Sequence, residues 1–284
     1  MMLKIEKTEV CGWEAAIRGM RNPMNSWEKS DSHPCAVLGE ITDKNRSYRC
    51  AGCKNEFVGR PNCMVIGKND LDLMTRLRNA GPEHAKFLRM VVVACDITAP
   101  LYWWKEFDTY KIGTVANSCS TMHKIMAKPF EIDDFSHEHL LDFSDTCKLM
   151  NELDMNIGSI ESLNLDASLY RDSSNLWSPR FLLFKKVDAL NQYRNLYLKV
   201  KDAPTKNLAK RNEILETIWW QVIQLLPSSY NQKRTVFLNY WVLANIYHQR
   251  QQHKMDEWRV TFCDWIKTLP YSEFITGEFE EESK

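Results

Sequence analysis

Leu3 and Ile5 alternate with Lys4 and Glu6 at the start of the chain. That is the period-two rhythm of a strand, expected over Lys4–Val10. Trp13–Arg18 then reads as a short helix. From Asn25 to about Gly67 the rhythm breaks into Ser, Asp, Asn, Pro and Gly with four cysteines, so residues 25–67 read as an irregular, Cys-containing N-terminal insertion. Asn69 or Asp70 is positioned to cap a helix reaching about Asn79, with Gly81 beyond its end. Leu88–Ile97 (LRMVVVACDI) carries the strongest β-branched run in the chain and is expected to be a strand.

The second half has the helical period. Ser136 reads as the cap of a helix to about Leu153, followed by turn composition over Gly158–Trp177. Pro179 suits a first helical position, ahead of Phe181, Leu182, Val187, Leu190, Tyr193 and Leu196. Within Thr205–Leu226, residues Ile214, Leu215, Ile218, Trp219, Val222 and Ile223 form one apolar face. Arg234–Gln249 and Asp256–Leu269 read as two further helices, and residues 276–284 as a disordered acidic tail. One strong strand among many amphipathic helices gives an α+β class, with a small mixed or antiparallel sheet and several packed helices. A single domain over residues 1–275 is expected, with an extra, mostly helical segment at 126–204.

Charge narrows the partners. Lys plus Arg equals Asp plus Glu at 37 each, so there is no basic excess for duplex nucleic acid or for a membrane surface. The longest apolar runs, such as Met90–Cys95, are too short to span a bilayer. The opening MMLKIEKTEV has no apolar h-region, and a cytoplasmic location is expected. There reduced thiols or metal ligands are favoured over disulfides for the nine cysteines. Cys50-Ala-Gly-Cys53 is a CxxC knuckle, and His33, Cys35 and Cys63 are close in sequence. Cys50 and Cys53 with Cys35 and Cys63 would make a tetrahedral structural zinc site that staples the insertion. Against it stands a surface loop with reduced thiols, since only one clean CxxC pair is present.

The stretch ITAPLYWWKEFDTYKIGTVANSCSTMH (97–123) follows the strong strand with Ala99-Pro100, an aromatic helical run and a polar turn. This order resembles the core of the flavin-dependent (ThyX-type) thymidylate synthases. In that family an Arg-His-Arg triplet and, seven residues on, a serine follow the helix. Here Thr109-Tyr110-Lys111 stands at the triplet and Cys119 at the serine. Downstream of Leu226-Pro227, the pair Asn239 and Asn245 followed by Arg250 keeps the family's spacing, and Trp258 lies near a family tryptophan. The resemblance covers about residues 1–125 and 205–270.

The resemblance implies FAD as cofactor, with His84, Thr109, Tyr110, Lys111, Asn239 and Asn245 toward the flavin. It implies a pyrimidine nucleotide as substrate, with Glu106, Asn117, Cys119, Ser120 and Arg250 toward it. It further implies dUMP-to-dTMP type chemistry with methylenetetrahydrofolate and NADPH as co-substrates, and a homotetramer sharing its sites. The departures matter. Thr121 and Ile223 stand where the family has phosphate-binding arginines, leaving Lys111, Arg250, Lys233 and Arg234 as replacements.

Each residue has a plainer reading. Arg250 can pair with Asp256 or Glu257. Asn239 and Asn245 can satisfy backbone groups on a buried helix. Glu106 can be a solvated helix residue, and Tyr110 can be packing. Cys119 is the one nucleophile candidate, and burial as a small apolar residue is the favoured reading. Trp103 and Trp104 point about 100° apart on a helix, which would put one in the core and one at an interface. Three functions follow: a divergent flavin-dependent methyltransferase acting on a pyrimidine deoxynucleotide, a catalytically lapsed nucleotide- or flavin-binding protein, or a zinc-stapled assembly module.

Overall fold

The computed structural model describes residues 3–34, 64–142, 145, 148 and 178–279. The chain divides into two compact units, one made of Leu3–Ala99, Trp103–Cys119 and Lys233–Lys284, the other of Pro100–Tyr102 and Ser120–Gln232 with the first two residues.

The first unit is built on a four-stranded sheet. Its strands are β1 (Lys4–Cys11), β4 (Val92–Pro100), β5 (Val115–Ser118) and β6 (Asn231–Asn239), ordered β1-β4-β6-β5. β1 pairs antiparallel with β4, and β5 with β6. The expected first strand is present. The second begins later than the run Leu88–Ile97 suggests, because Ala85–Arg89 winds as a 3-10 turn and extended backbone starts at Val92. Val93, Cys95, Ile97 and Ala99 are buried, whereas Val92, Ala94 and Thr98 are half-buried. Alternation across a sheet with one covered face produces this pattern.

Helices α1 (Trp13–Arg21), α2 (Lys68–Asn79), α3 (Leu101–Phe107) and α7 (Tyr240–Arg250) belong wholly or largely to this unit. So do a π-helical stretch, Glu257–Phe262, running into α8 (Cys263–Lys267), and α9 (Glu273–Thr276). Gly12 joins β1 to α1 with φ 97°, and a Cβ there would stand 2.0 Å from the Met90 carbonyl oxygen, so only glycine fits.

A helix over Arg234–Gln249 is not what forms. Lys233–Leu238 continues β6, with Val236 and Leu238 buried and Thr235 and Phe237 exposed. The helix starts only at Tyr240. β-branched and aromatic residues at alternating positions favour the strand, and Asn239 switches the chain to helix by capping it. Its side-chain oxygen accepts from Val242 N–H at 3.0 Å.

The chain on either side of residues 35–63 is tied together. His33–Pro34 (β2) pairs antiparallel with Met64–Val65 (β3). Beneath them Arg21 Nε donates to Asp70 Oδ1 at 2.6 Å, while the Ser30 and Ser32 hydroxyls donate to Oδ2 at 2.7 and 2.6 Å. Arg21 also holds the Ser26 and Lys29 carbonyls, and Ser32 Oγ accepts from Gly67 N–H. Neither Asn69 nor Asp70 caps α2. Asp31 does, accepting from both of their backbone N–H groups, because the Asp70 carboxylate is already held by Arg21 and the serines. Residues 35–63, with Cys35, Cys50, Cys53 and Cys63, lie outside the described residues, as do 280–284 of the expected tail. Tail residues 277–279 are described: Tyr247 donates to Glu278 at 3.0 Å and Phe279 packs edge-on against Phe274.

The second unit contains α4 (Thr121–Lys124), α5 (Pro179–Asp202) and α6 (Leu208–Leu225). Ile125, Phe130, Phe135, Leu183, Val187, Leu190 and Val222 form its core. Pro179 is the first residue of α5, and the Ser178 hydroxyl accepts from Phe181 N–H at 3.1 Å. On α5 the buried stripe is Leu183, Val187 and Leu190, while Leu182, Tyr193 and Leu196 are exposed. No helix starts at Ser136, whose N–H donates instead to the Ser229 carbonyl at 2.8 Å. Most of 143–177 lies outside the described residues. Among those described, no helix is long and apolar enough to cross a membrane.

Candidate functional site

Pro100 ends β4, and α3 begins at the next residue. One turn later α3 presents three large rings to the interior. Trp103, Trp104 and Phe107 are all buried, so neither tryptophan is an interface residue. Trp103 stacks on Trp258 with ring centres 4.4 Å apart, and Phe107 lies 9° from parallel to Trp258 at 6.4 Å. Trp104 is covered from the strand side by Arg234, whose guanidinium sits 4.2 Å over the ring and pairs with Asp108 at 2.7 Å. With its aromatic side fixed, α3 turns Glu106 the other way.

Glu106 meets Arg250 from the end of α7. Its Oε2 lies 2.7 Å from Arg250 Nη1 and 3.3 Å from His253 Nε2. That oxygen is shielded from solvent, and neither contact has hydrogen-bond alignment. Arg250 Nε donates to the Tyr110 hydroxyl at 2.9 Å, which in turn donates to Gln249 Oε1 at 2.9 Å. The guanidinium lies 4.9 Å over Trp258 and 5.6 Å from the Tyr110 ring. His253 Nδ1 accepts from Met255 N–H at 3.1 Å, which leaves the ring proton on Nε2, toward Glu106. The result is a half-buried arginine with an acidic neighbour, two aromatic walls and an imidazole. Such a set can hold a planar polar ring or an anionic group.

Of the residues named from sequence, the fold brings Glu106, Tyr110 and Arg250 into one cluster. There Arg250 is engaged by Glu106 and Tyr110. Asp256 holds Arg259 at 2.5 Å. Thr109 is exposed, and its hydroxyl donates to the Glu106 carbonyl at 2.7 Å. Lys111, His84 and Asn245 are exposed. Asn117 is exposed on β5, paired in register with Thr235. Asn239 and Asn245 do not share a helix interior, since the first is the cap. Ser120, in the second unit, caps α4, with its hydroxyl 2.7 Å from His123 Nδ1.

Cys119 is exposed, contrary to the favoured buried reading, because it follows an edge strand and bonds through its backbone N–H to the Lys233 carbonyl at 2.9 Å. Burial pushes the Cys95 thiol up to about 12 and the Cys263 thiol to about 11, so neither is a nucleophile near neutral pH. Among the described residues no group of His, Cys, Asp and Glu can hold a metal ion.

Sequence reasoning missed His253 and Gln249, although both stand within three residues of Arg250. It also missed Asp96, which is buried in the central strand β4. Thr235 donates to Asp96 at 2.7 Å and Lys233 lies 3.1 Å away. The Thr235 hydrogen bond, then Lys233, holds its carboxyl below the usual carboxylate range, and Asp96 raises Lys233 in return.

No family model matches the sequence, and no curated protein matches it. Solved structures do match the fold. A flavin-dependent thymidylate synthase ThyX from Helicobacter pylori, solved with FAD and dUMP, superposes with a TM-score of 0.50 and 13% identity, covering 96% of this chain and 95% of that one. A second structure of ThyX from the same organism, also complexed with FAD and dUMP, gives a TM-score of 0.48 and 15% identity, over 96% of each chain. The chain thus has an α+β fold like that of ThyX, a remote likeness spanning nearly its whole length.

Proposed function

We propose that the protein is a divergent flavin-dependent methyltransferase of the thymidylate-synthase kind, taking a pyrimidine deoxynucleotide at the Arg250 cluster. The observation that carries this reading is Arg250 itself. It is a guanidinium held half-buried over Trp258, beside Tyr110 and Glu106, on a ThyX-like fold. A half-buried guanidinium on an aromatic shelf suits a phosphate, and the aromatic walls suit a planar ring.

FAD is the cofactor of this reading. The exposed donors fit it in part: His84, Asn245 and the Lys111 ammonium face solvent in the same unit, whereas the Thr109 hydroxyl is already given to the Glu106 carbonyl. Asn239 does not fit, because its amide oxygen caps α7. When bound, FAD would supply the hydride that completes methyl transfer from methylenetetrahydrofolate, with NADPH as its reductant. The chain's own part would be to orient the pyrimidine and shield it from water. A homotetramer in the cytoplasm belongs to the same reading.

A second reading is favoured by Tyr110. Its hydroxyl is engaged by both Arg250 and Gln249, so the triplet position serves the nucleotide side rather than the flavin. That suits a binding protein that has kept the fold and lost the reaction.

Absorbance and mass analysis of the purified protein separate the two. The enzyme reading expects FAD to co-purify or to bind on reconstitution, with flavin bands shifted from those of the unbound cofactor. It also expects Asn245→Ala to weaken retention by about the 0.5–1.5 kcal/mol of one polar contact. Protein that stays colourless after incubation with FAD contradicts it.

A further inference from the structure

We infer that the Glu106 carboxylate is an internal competitor for the Arg250 guanidinium, a specificity-determining group that any phosphate entering the site must displace. This rests on the reading of Arg250 as the nucleotide's anchor. Arg250 Nε is held by Tyr110 and its face by Trp258. The remaining fork is the part an incoming anion would use, and Glu106 Oε2 stands 2.7 Å from Nη1.

The contact is short but poorly made. Arginine and carboxylate pair best with two parallel hydrogen bonds in one plane. Here the carboxylate oxygen approaches without hydrogen-bond alignment. Glu106 cannot easily improve it, because α3 is fixed on its other side by buried Trp103, Trp104 and Phe107. A phosphate from solvent is under no such constraint. His253 Nε2, 3.3 Å from the same oxygen and carrying its proton, gives the carboxylate a partner when Arg250 turns to a ligand. A ligand without an anionic group does not need this exchange, so the carboxylate lowers the affinity for a phosphorylated pyrimidine, leaves its nucleoside unaffected and keeps weaker anions off Arg250.

The test is titration of the parent, Glu106→Gln and Glu106→Ala with dUMP and with deoxyuridine, alongside thermal melts to establish that each variant folds. Glu106→Gln keeps the shape and removes the charge. It is expected to bind dUMP at least about tenfold tighter than the parent, the scale of about 1.4 kcal/mol. Deoxyuridine should bind both proteins to within about threefold. Glu106→Ala should gain in the same direction.

Unchanged or weaker dUMP binding in a folded Glu106→Gln protein overturns the inference and leaves the nucleotide reading standing. An equal gain or loss for both ligands places Glu106 on the base and also overturns it. No binding of either ligand to any of the three proteins overturns both.

Discussion

Replacing Asp70 by alanine is expected to cost the fold about 3–5 kcal/mol, the usual penalty for leaving one member of a buried ion pair alone. Asp70 is fully buried and gathers Arg21, Ser30 and Ser32 on its two oxygens. Its removal leaves the Arg21 guanidinium, 4% exposed, with the Ser26 and Lys29 carbonyls as its partners among the described residues. It also loosens the joint that holds Ser30 and Ser32 to the start of α2. Chemical denaturation should show a lower midpoint with an unchanged slope.

The same group sets a pH dependence. Burial alone would raise the Asp70 pKa, but hydrogen bonds from Ser32, Ser30 and Arg21, with the Arg21 charge, outweigh it and lower it. A carboxyl lowered by folding contributes stability above its unfolded pKa of about 3.9, and that contribution is lost as pH falls through the lowered folded value. The parent should therefore lose stability below about pH 4, and Asp70→Ala should lose less over that interval.

Trp258→Ala is the second large effect. The ring is fully buried, stacked on Trp103, edge-on to Phe262 at 5.2 Å, and is the shelf for Arg250. Truncating it should cost about 3–5 kcal/mol through lost burial and the cavity left behind. Trp258→Phe should cost much less. It keeps a ring in the stack, and the indole N–H it deletes has no acceptor among the described residues. Thermal melts check the order Ala well below Phe. Equal melting temperatures for Trp258→Ala and the parent would mean that the aromatic stack is not a support of the site.

The strand, Ala-Pro step and helix around Val92–Phe107 were legible because each signal was local: a β-branched run, then a proline that ends the ladder, then aromatic residues at helical spacing. Pro179 was legible for the same reason. The region 231–250 was not, because RTVFLNYWVLANIY has no Gly or Pro to mark the change from strand to helix. Its apolar residues satisfy both periods over a short window. Asn239 was the available sign, since asparagine before an apolar run is a cap.

The site was legible only as residues, not as contacts. Arg250 and Glu106 are 144 positions apart by number, and nothing local announces that a helix end and a helix side meet there. Arg21 and Asp70 are 49 apart, and the local pattern around Asp70 is that of a helix cap, whereas its carboxylate faces Arg21. Cys119 reads as buried because only distant groups such as Lys111 and His123 could activate it as a nucleophile, whereas exposure at an edge strand depends on strand order.

The most direct measurement is calorimetric titration of dUMP into the parent and into Arg250→Ala, with deoxyuridine as the reference ligand. If Arg250 anchors a pyrimidine nucleotide, the parent binds dUMP and the variant binds it more weakly by about 1.5–3 kcal/mol, the value of a charge-assisted contact. Deoxyuridine should then change far less. Equal dUMP affinity in parent and variant would contradict that assignment.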